Sequence, residues 1–192
     1  MARFGGLDIS RLLSGRLAEP LHLNLAAAFV GLFGSYRSRV AFDVVRRPEY
    51  ALGMLQAADR AGSAGLRRII AIEFGVASGA GLLAMCRIAE ETTRCTGVAI
   101  EIVGFDGGVG LPAPIDYRDH PDLWIKGDYP MPDRDRLLRA LPPNARIIFG
   151  PLTDTVPRFV ESMTPDRPIG FASVDVDLYS SAHECLQVFA HP

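Results

Sequence analysis

Short apolar runs alternate along the chain with longer stretches in which apolar residues recur every three or four positions. Four runs are nearly continuous in apolar residues and predict strands at residues 68–74, 100–106, 146–150 and 169–175. The longer stretches follow the period of a helix and predict helices at residues 46–62, 79–95, 134–140, 154–162 and 180–189. Buried strands that alternate with helices are typical of a parallel sheet covered on both faces. The pattern therefore predicts an α/β fold.

The first part of the chain shows apolar stretches and turn signals but no strand. Glycine marks predicted turns at residues 5–6, 14–15 and 34–35. We therefore predict an N-terminal helical appendage at residues 1–45 and a single α/β domain at residues 46–192.

The composition is that of an ordinary globular protein, with 48% hydrophobic residues and a net charge of −2 over 192 residues. This charge gives no reason to expect a nucleic acid or an anionic membrane as a partner. The apolar run at residues 21–34 contains His22 and Asn24, and it is too short to span a bilayer, so we predict a soluble helix. The three cysteines lack the spacing of a zinc site, and their odd number favours a reducing, cytoplasmic setting.

One predicted strand-to-helix turn is rich in glycine and follows an acid. Glu73, Gly75, Gly79 and Gly81 form the pattern E-x-G-x-x-x-G-x-G. Glycine lets a ligand approach the backbone, and the start of the next helix offers unpaired N–H groups. A dinucleotide site would need G-x-G-x-x-G around a pyrophosphate, which Glu73 would repel. The pattern favours a nucleoside ligand with cationic or hydroxyl groups. A tight turn without a ligand is the alternative.

Acids also close two other predicted strands. Asp106 ends the second strand and Asp175 ends the fourth, with Asp177 two residues later. Because the carboxyl ends of parallel strands share one edge of a sheet, we expect these acids near Glu73. Asp106 is placed to accept hydrogen bonds from a ribose. Asp175 suits Mg²⁺ as an oxygen ligand, and Asp177 could take a proton from a substrate hydroxyl.

A structural role is the alternative for the last pair of acids. Asp177 or Ser180 could cap the final predicted helix, since Asp and Ser are common at that position.

These motifs together resemble a known family. Residues 73–79 resemble motif I of the class I S-adenosylmethionine-dependent methyltransferases, in which the acid lies near the methionine amino group. With residues 103–106, 110–112 and 174–180, they are similar to the macrocin O-methyltransferase-type family over roughly residues 46–190. Members of that family use Mg²⁺ to methylate sugar hydroxyls in macrolide and aminocoumarin biosynthesis.

The resemblance implies a role for each matching position. Asp175 would bind the metal, and Asp177 would lie beside the acceptor hydroxyl. Gly150 stands after the third strand, where the family usually has Gly-Asp, but Pro151 follows it here. The adenine contact would therefore be apolar or made by backbone. The residues implied to bind S-adenosylmethionine are Glu73, Gly75, Gly79, Asp106 and Gly150.

The resemblance also implies a sheet of seven strands in the order 3-2-1-4-5-7-6. The strands predicted here supply only 3-2-1-4, which would leave strand 4 as a bare edge of a kind that soluble proteins avoid. We therefore expect a Rossmann-like class I methyltransferase sheet that is truncated after strand 4 and its helix, with strands 5–7 missing. A native short protein would need a partner to cover that edge.

A proline-rich segment at residues 111–132 follows the second strand and is the predicted acceptor-binding loop. Tyr117, Trp124 and Tyr129 have aromatic rings that suit sugar or phenolic acceptors. His120 could act as a base, but its position beside a proline in a loop favours a surface role.

From these patterns we predict O-methylation of a hydroxyl on a small sugar or natural-product acceptor, with S-adenosylmethionine as donor and Mg²⁺ in assistance. A metal-dependent glycosyltransferase is one alternative, because Asp-x-Asp after an apolar strand also suits a sugar nucleotide. Against it stands Glu73, which would repel a diphosphate. The second alternative is a non-catalytic cofactor-binding or assembly module. Under this alternative we expect a homo-oligomer formed through the edge of strand 4.

Overall fold

Four parallel strands form one sheet in the order β3-β2-β1-β4. The computed structural model describes residues 20–189. Register runs from Arg68↔Ala99 to Phe74↔Phe105 between β1 and β2. The pairing of β1 with β4 shifts register between Ile70 and Ala71. The strands are β1 (Arg68–Phe74), β2 (Ala99–Asp106), β3 (Ala145–Phe149) and β4 (Ile169–Val174). The predicted α/β class, parallel sheet and strand order are confirmed.

Helices precede the sheet and connect its strands. Their bounds agree with the predicted ones to within two residues at most ends, and the last helix finishes as a 3₁₀ turn. They are α1 (Leu21–Phe33), α2 (Tyr36–Ala41), α3 (Pro48–Ser63), α4 (Ala80–Thr96), α5 (Arg134–Ala140), α6 (Leu152–Glu161) and α7 (Tyr179–Leu186), with 3₁₀ turns at Tyr117–Asp119 and Gln187–Phe189.

Strand β1 is buried on both faces, because successive side chains point to opposite sides of the sheet. Ile69 and Ala71 pack with the apolar faces of α3 and α4. Ile70, Ile72 and Phe74 pack on the other side with residues of α6 and α7. The sheet is therefore the middle layer of three, and its carboxyl edge is the place where loops from both helical layers meet.

Helix α1 is apolar on nearly all sides, so its sequence pattern does not tell which face is buried. In the structure Ala27 is fully buried, while Leu25 and Phe29 are mostly exposed. Within residues 20–189 no helix is both long and apolar enough to cross a membrane.

Helix α2 is fixed to the α/β layers by side-chain contacts. Arg37 donates two hydrogen bonds of 2.6 Å to Asp59 on α3, and the Tyr36 hydroxyl lies 3.2 Å from that of Thr92 on α4. The predicted turn at residues 34–35 separates α1 from α2. The turns predicted at residues 5–6 and 14–15 lie outside the described residues, and the division at residue 45 stays a prediction.

Candidate active site

The glycine-rich turn lies between β1 and α4 and depends on left-handed backbone angles. Gly75 and Gly79 have φ values of 84° and 82°, which glycine adopts without a steric penalty. The Gly75 amide donates to the Phe105 carbonyl at 2.9 Å, so the turn is attached to the end of β2. Gly79 is the N-cap residue of α4, and because it has no side chain, no side-chain hydrogen bond caps this helix. The first amides of α4 therefore start at the carboxyl edge of the sheet, as the sequence predicted.

The Glu73 side chain lies below this turn and is only 3% exposed. Tyr50, in the first turn of α3, donates a hydrogen bond of 3.0 Å to Glu73 Oε1. A Cβ added at Gly81 would fall on the same oxygen, so the carboxyl group rests against the first turn of α4. Among the described residues, Glu73 Oε2 is buried and has no hydrogen-bond partner. Such an oxygen is costly to bury unless a ligand or a proton satisfies it.

The surroundings of Glu73 favour its neutral form. Burial raises its pKa to about 7, and the negative charges of Asp175 and Asp106 add to the rise. The hydrogen bond from Tyr50 and the charge of Arg47 act in the opposite direction. A cationic group near Oε2 would stabilise the ionised form, because an opposite charge lowers the pKa of an acid.

Asp106 holds the glycine-rich turn in place. Its Oδ2 accepts hydrogen bonds from the amides of Val76 at 2.9 Å and Ala77 at 2.8 Å. Its Oδ1 accepts from the amide of Gly108 at 2.5 Å. A carboxylate has about four acceptor positions, so these bonds leave little capacity for the predicted ribose hydroxyls. The ribose role of Asp106 stays a prediction, and a ligand that used it would have to share the carboxylate with the turn.

Gly150 follows β3 beside Asp106, whose carbonyl accepts a hydrogen bond of 3.1 Å from its amide. Its φ of 136° also requires glycine. The neighbouring Phe149 ring has the Arg134 guanidinium 3.6 Å from its centre. The Arg134 guanidinium therefore covers one face of this ring, and the adenine contact that the resemblance implies near Gly150 stays a prediction.

Asp175 and Asp177 follow β4 at the same edge. The amide of Leu178 donates to the carbonyl of Val176 at 2.6 Å, and Asp177 between them has a φ of 61°. This is a γ-turn of the rare positive-φ form, which is strained for a residue other than glycine. Neither Asp177 nor Ser180 caps α7 through its own side chain, because the helix has Leu178 at that position.

The γ-turn brings Asp177 close to other carboxylates. Partial loss of solvent raises its pKa, and the charges of Asp175 and Asp128 raise it further. Asp128 belongs to the loop after β2, so this loop and the end of β4 meet here. Residues 20–189 contain no group of three or more His, Cys, Asp or Glu side chains arranged to hold a metal ion. The role of Asp175 as a metal ligand stays a prediction.

The loop at residues 111–128 is closed at its base by its own backbone. Leu111 donates to Asp128 at 2.8 Å, and Gly127 donates to Leu111 at 2.9 Å. Trp124 is half-buried and packs against Tyr129 at 6.0 Å between ring centres, whereas His120 is exposed. These positions agree with the predicted surface role of His120.

Asp119 attaches this loop to α7. It is 1% exposed and accepts hydrogen bonds from the amide of Ser180 at 2.7 Å and from its hydroxyl at 2.8 Å. It also accepts from the amide of Ile115 at 2.8 Å. Helix α7 is therefore capped by a side chain from a distant loop. A shallow cavity of about 210 Å³ lies beside this junction, lined in part by Arg118, Tyr179 and His183.

Two residues of this region were not singled out from the sequence. In the sequence, Tyr50 is one of the apolar residues that recur with the period of a helix at residues 46–62, and Asp119 is one of several acids in the segment at residues 111–132. Each acts on a partner far away along the chain, and no local spacing signals such a contact.

The fold is similar to that of a solved methyltransferase. The crystal structure of CalS11, a calicheamicin methyltransferase, matches with a TM-score of 0.54 and 19% sequence identity, over 95% of this chain and 69% of CalS11. At this identity the likeness shows a methyltransferase-like α/β fold, and activity has to be argued from the site. The chain matches no protein-family model, and no curated protein matches it in sequence.

Proposed function

We propose that this protein is an S-adenosylmethionine-dependent methyltransferase that acts on a hydroxyl of a small sugar or natural-product molecule. The observation that carries the proposal is the buried Glu73 carboxyl, with Oε2 unpartnered at the glycine-rich turn. An ammonium group of an amino-acid-bearing ligand would supply the missing donor. The methyltransferase-like fold supports the same assignment.

The other residues at the edge fit the remaining parts of S-adenosylmethionine, which when bound supplies an electrophilic methyl group. Gly75 and Gly79 allow the chain to form this turn, since a Cβ on them would collide with the Asp175 backbone and the Leu137 side chain. Asp106 would share its carboxylate between the turn and the ribose, and Gly150 would let the adenine ring approach the backbone near Phe149. Together these residues would bind and orient the ligand, and orientation of the two reactants is the main contribution we assign to the protein.

Asp177 is the residue we assign to proton transfer. Its raised pKa makes it a better base than an ordinary aspartate. The loop at residues 111–128 reaches it through Asp128, and the rings of Trp124 in this loop and of Tyr129 directly after it would contact the acceptor. Because the described residues show no metal-binding group, we assign no step to Mg²⁺.

Calorimetric titration with S-adenosylhomocysteine tests the proposal. We expect binding to the unmodified chain and a loss of at least tenfold in Glu73→Gln, which keeps the shape of the side chain but removes its charge. Glu161→Gln is the matched control, because Glu161 is exposed at the end of α6.

A parallel titration with a uridine diphosphate sugar tests the glycosyltransferase alternative. Binding of that ligand, without binding of S-adenosylhomocysteine, would overturn the proposal. Binding of S-adenosylhomocysteine without methyl transfer to any of a panel of sugars and phenols would favour the non-catalytic module.

A further inference from the structure

Three side chains form a hydrogen-bonded chain that ends on Glu73. The hydroxyl oxygens of Ser173 and Tyr50 are 2.9 Å apart, and Tyr50 donates to Glu73 Oε1 at 3.0 Å. A tyrosine hydroxyl has one proton. Because Tyr50 gives it to Glu73, Ser173 must be the donor to Tyr50. The chain therefore runs in one direction, from β4 through α3 to the end of β1, and each bond polarises the next.

Tyr50 is held firmly in this position. Its ring centre lies 5.6 Å from that of Phe171 on β4 and 5.0 Å from the Arg47 guanidinium. Arg47 precedes α3 in a left-handed conformation with a φ of 49°. Burial raises the pKa of Tyr50 above its usual value, so that its hydroxyl stays protonated. Tyr50 is thus a fixed donor.

The consequence for Glu73 is that its two oxygens have different roles. Oε1 is occupied by Tyr50 and rests against Gly81. Oε2 is left without a partner among the described residues. We propose that Tyr50 is a positioning residue, which fixes the Glu73 carboxyl so that Oε2 receives the amino group of the cofactor. This inference rests on the proposed function, since it assumes an amino-acid-bearing ligand at that place.

The charges around Glu73 support an ammonium group as the occupant. Asp106 and Asp175 act on Glu73 from the ends of β2 and β4, and Arg47 acts from the start of α3. The thiol of Cys86 on α4 also faces it. A bound cation would be attracted by all three carboxylates, whereas a second anion would be repelled by them.

The test compares two ligands on Tyr50→Phe. S-Adenosylhomocysteine contains the amino group, whereas 5′-methylthioadenosine keeps the nucleoside and sulfur but lacks the amino-acid part. Tyr50→Phe keeps the ring and its contacts and removes only the hydroxyl. We expect S-adenosylhomocysteine to bind roughly tenfold more weakly and 5′-methylthioadenosine to bind as it does to the unmodified chain. Raising the pH until Glu73 is ionised should not restore the affinity of Tyr50→Phe for S-adenosylhomocysteine, because the missing hydroxyl would still leave the carboxyl unpositioned.

Two further variants complete the design. Tyr36→Phe removes a half-buried tyrosine hydroxyl far from the glycine-rich turn, which pairs with the hydroxyl of Thr92, and it should leave both affinities unchanged. Ser173→Ala keeps Tyr50 intact but removes its donor, so it should weaken S-adenosylhomocysteine binding in the same selective way and by a smaller factor. It serves as the test if Tyr50→Phe does not fold.

Each outcome decides between the two proposals. Equal weakening of both ligands in Tyr50→Phe, or no weakening of either, would overturn the positioning role while leaving the cofactor site standing. Failure of the unmodified chain to bind either ligand would overturn the proposed function, and the positioning role with it.

Discussion

The Glu73 carboxyl should make stability depend on pH in a direction opposite to that of most acids. Its pKa of about 7 in the folded state exceeds the usual 4.5, so the folded chain binds more protons than the unfolded chain between these values. Stability is therefore highest below pH 4.5 with respect to this group and falls as pH rises to about 7. At pH 8 we expect Glu73→Gln to unfold at a higher urea concentration than the unmodified chain. Its free energy of unfolding should be larger by roughly 2–3 kcal/mol.

The difference should be smallest near pH 4.5, where Glu73 is neutral in the folded chain and only half ionised in the unfolded chain. Urea unfolding followed by circular dichroism from pH 4.5 to 8.5 measures it, with Glu161→Gln as the exposed control. A constant difference between Glu73→Gln and the unmodified chain over this range would contradict the raised pKa.

Asp177 should affect turnover rather than cofactor binding. Its side chain is exposed, and the assigned role is to accept the proton of the acceptor hydroxyl. We expect Asp177→Asn to lower the rate of methyl transfer about 100-fold while affinity for S-adenosylhomocysteine is retained. Asp122→Asn, at an exposed position of the loop after β2, is the control. Equal losses of rate and affinity in Asp177→Asn would mean that Asp177 supports the site structurally instead.

At the level of elements, the contact between the glycine-rich turn and the end of β4 is close enough to exclude any side chain. A Cβ at Gly75 would fall on the backbone oxygen of Asp175. Gly97, at the end of α4, has a similar φ of 76°, but a Cβ there would have no neighbour within 4 Å. Gly97→Ala should thus cost about 1 kcal/mol from backbone strain alone. Gly75→Ala should cost at least about 3 kcal/mol, since the two segments must separate.

Thermal or urea unfolding of the two glycine variants measures this difference directly. Equal costs in Gly75→Ala and Gly97→Ala would show that the turn and β4 can move apart without penalty.

The junction between the loop at residues 111–128 and α7 should also be strong. Burial alone would raise the pKa of Asp119, but hydrogen bonds from Ile115 and Ser180 outweigh this effect and lower it. Asp119→Ala would leave these donors unpaired, so we expect a loss of about 3 kcal/mol. Asp116→Ala breaks an exposed ion pair with Arg118 and one hydrogen bond from the Arg118 amide, and it should cost about 1 kcal/mol.

Hydrogen exchange gives a second readout for this junction. The Ser180 amide should exchange faster in Asp119→Ala than in Asp116→Ala. Unchanged protection of that amide would contradict the capping role of Asp119.

The elements differ in how well the sequence predicts them, for physical reasons. The strands and the helices between them have clear periods and glycine or proline at their ends, and their bounds were predicted closely. Helix α1 has apolar residues on all sides, so periodicity could not tell that Ala27 is buried while Leu25 is exposed.

For the whole molecule, the sequence predicted the sheet and the edge at which the acids meet, because the strand ends of a parallel sheet share one side. It did not predict the contacts that complete the site. Tyr50 and Ser173 are 123 positions apart, and Asp119 and Ser180 are 61 apart. Such pairs depend on how the layers pack, and no local pattern encodes them.

A ligand at this edge should stabilise the whole chain. The residues around Glu73 come from helix α3 and from strands β1 and β4, so the site exists only when the sheet and the helical layer that contains α3 are both folded. At a concentration 100-fold above its Kd, S-adenosylhomocysteine should raise the free energy of unfolding by about 2.7 kcal/mol. A thermal midpoint that does not move with ligand concentration would contradict the proposed cofactor site.

The loop at residues 111–128 closes on itself through Leu111, Gly127 and Asp128. Since few of its bonds involve the sheet, its interior could diverge in evolution while the glycine-rich turn stayed the same, provided that Asp119 kept its hold on α7. An engineer could exchange this segment as a cassette, which under the proposed function would change the acceptor while the proposed donor site stayed intact.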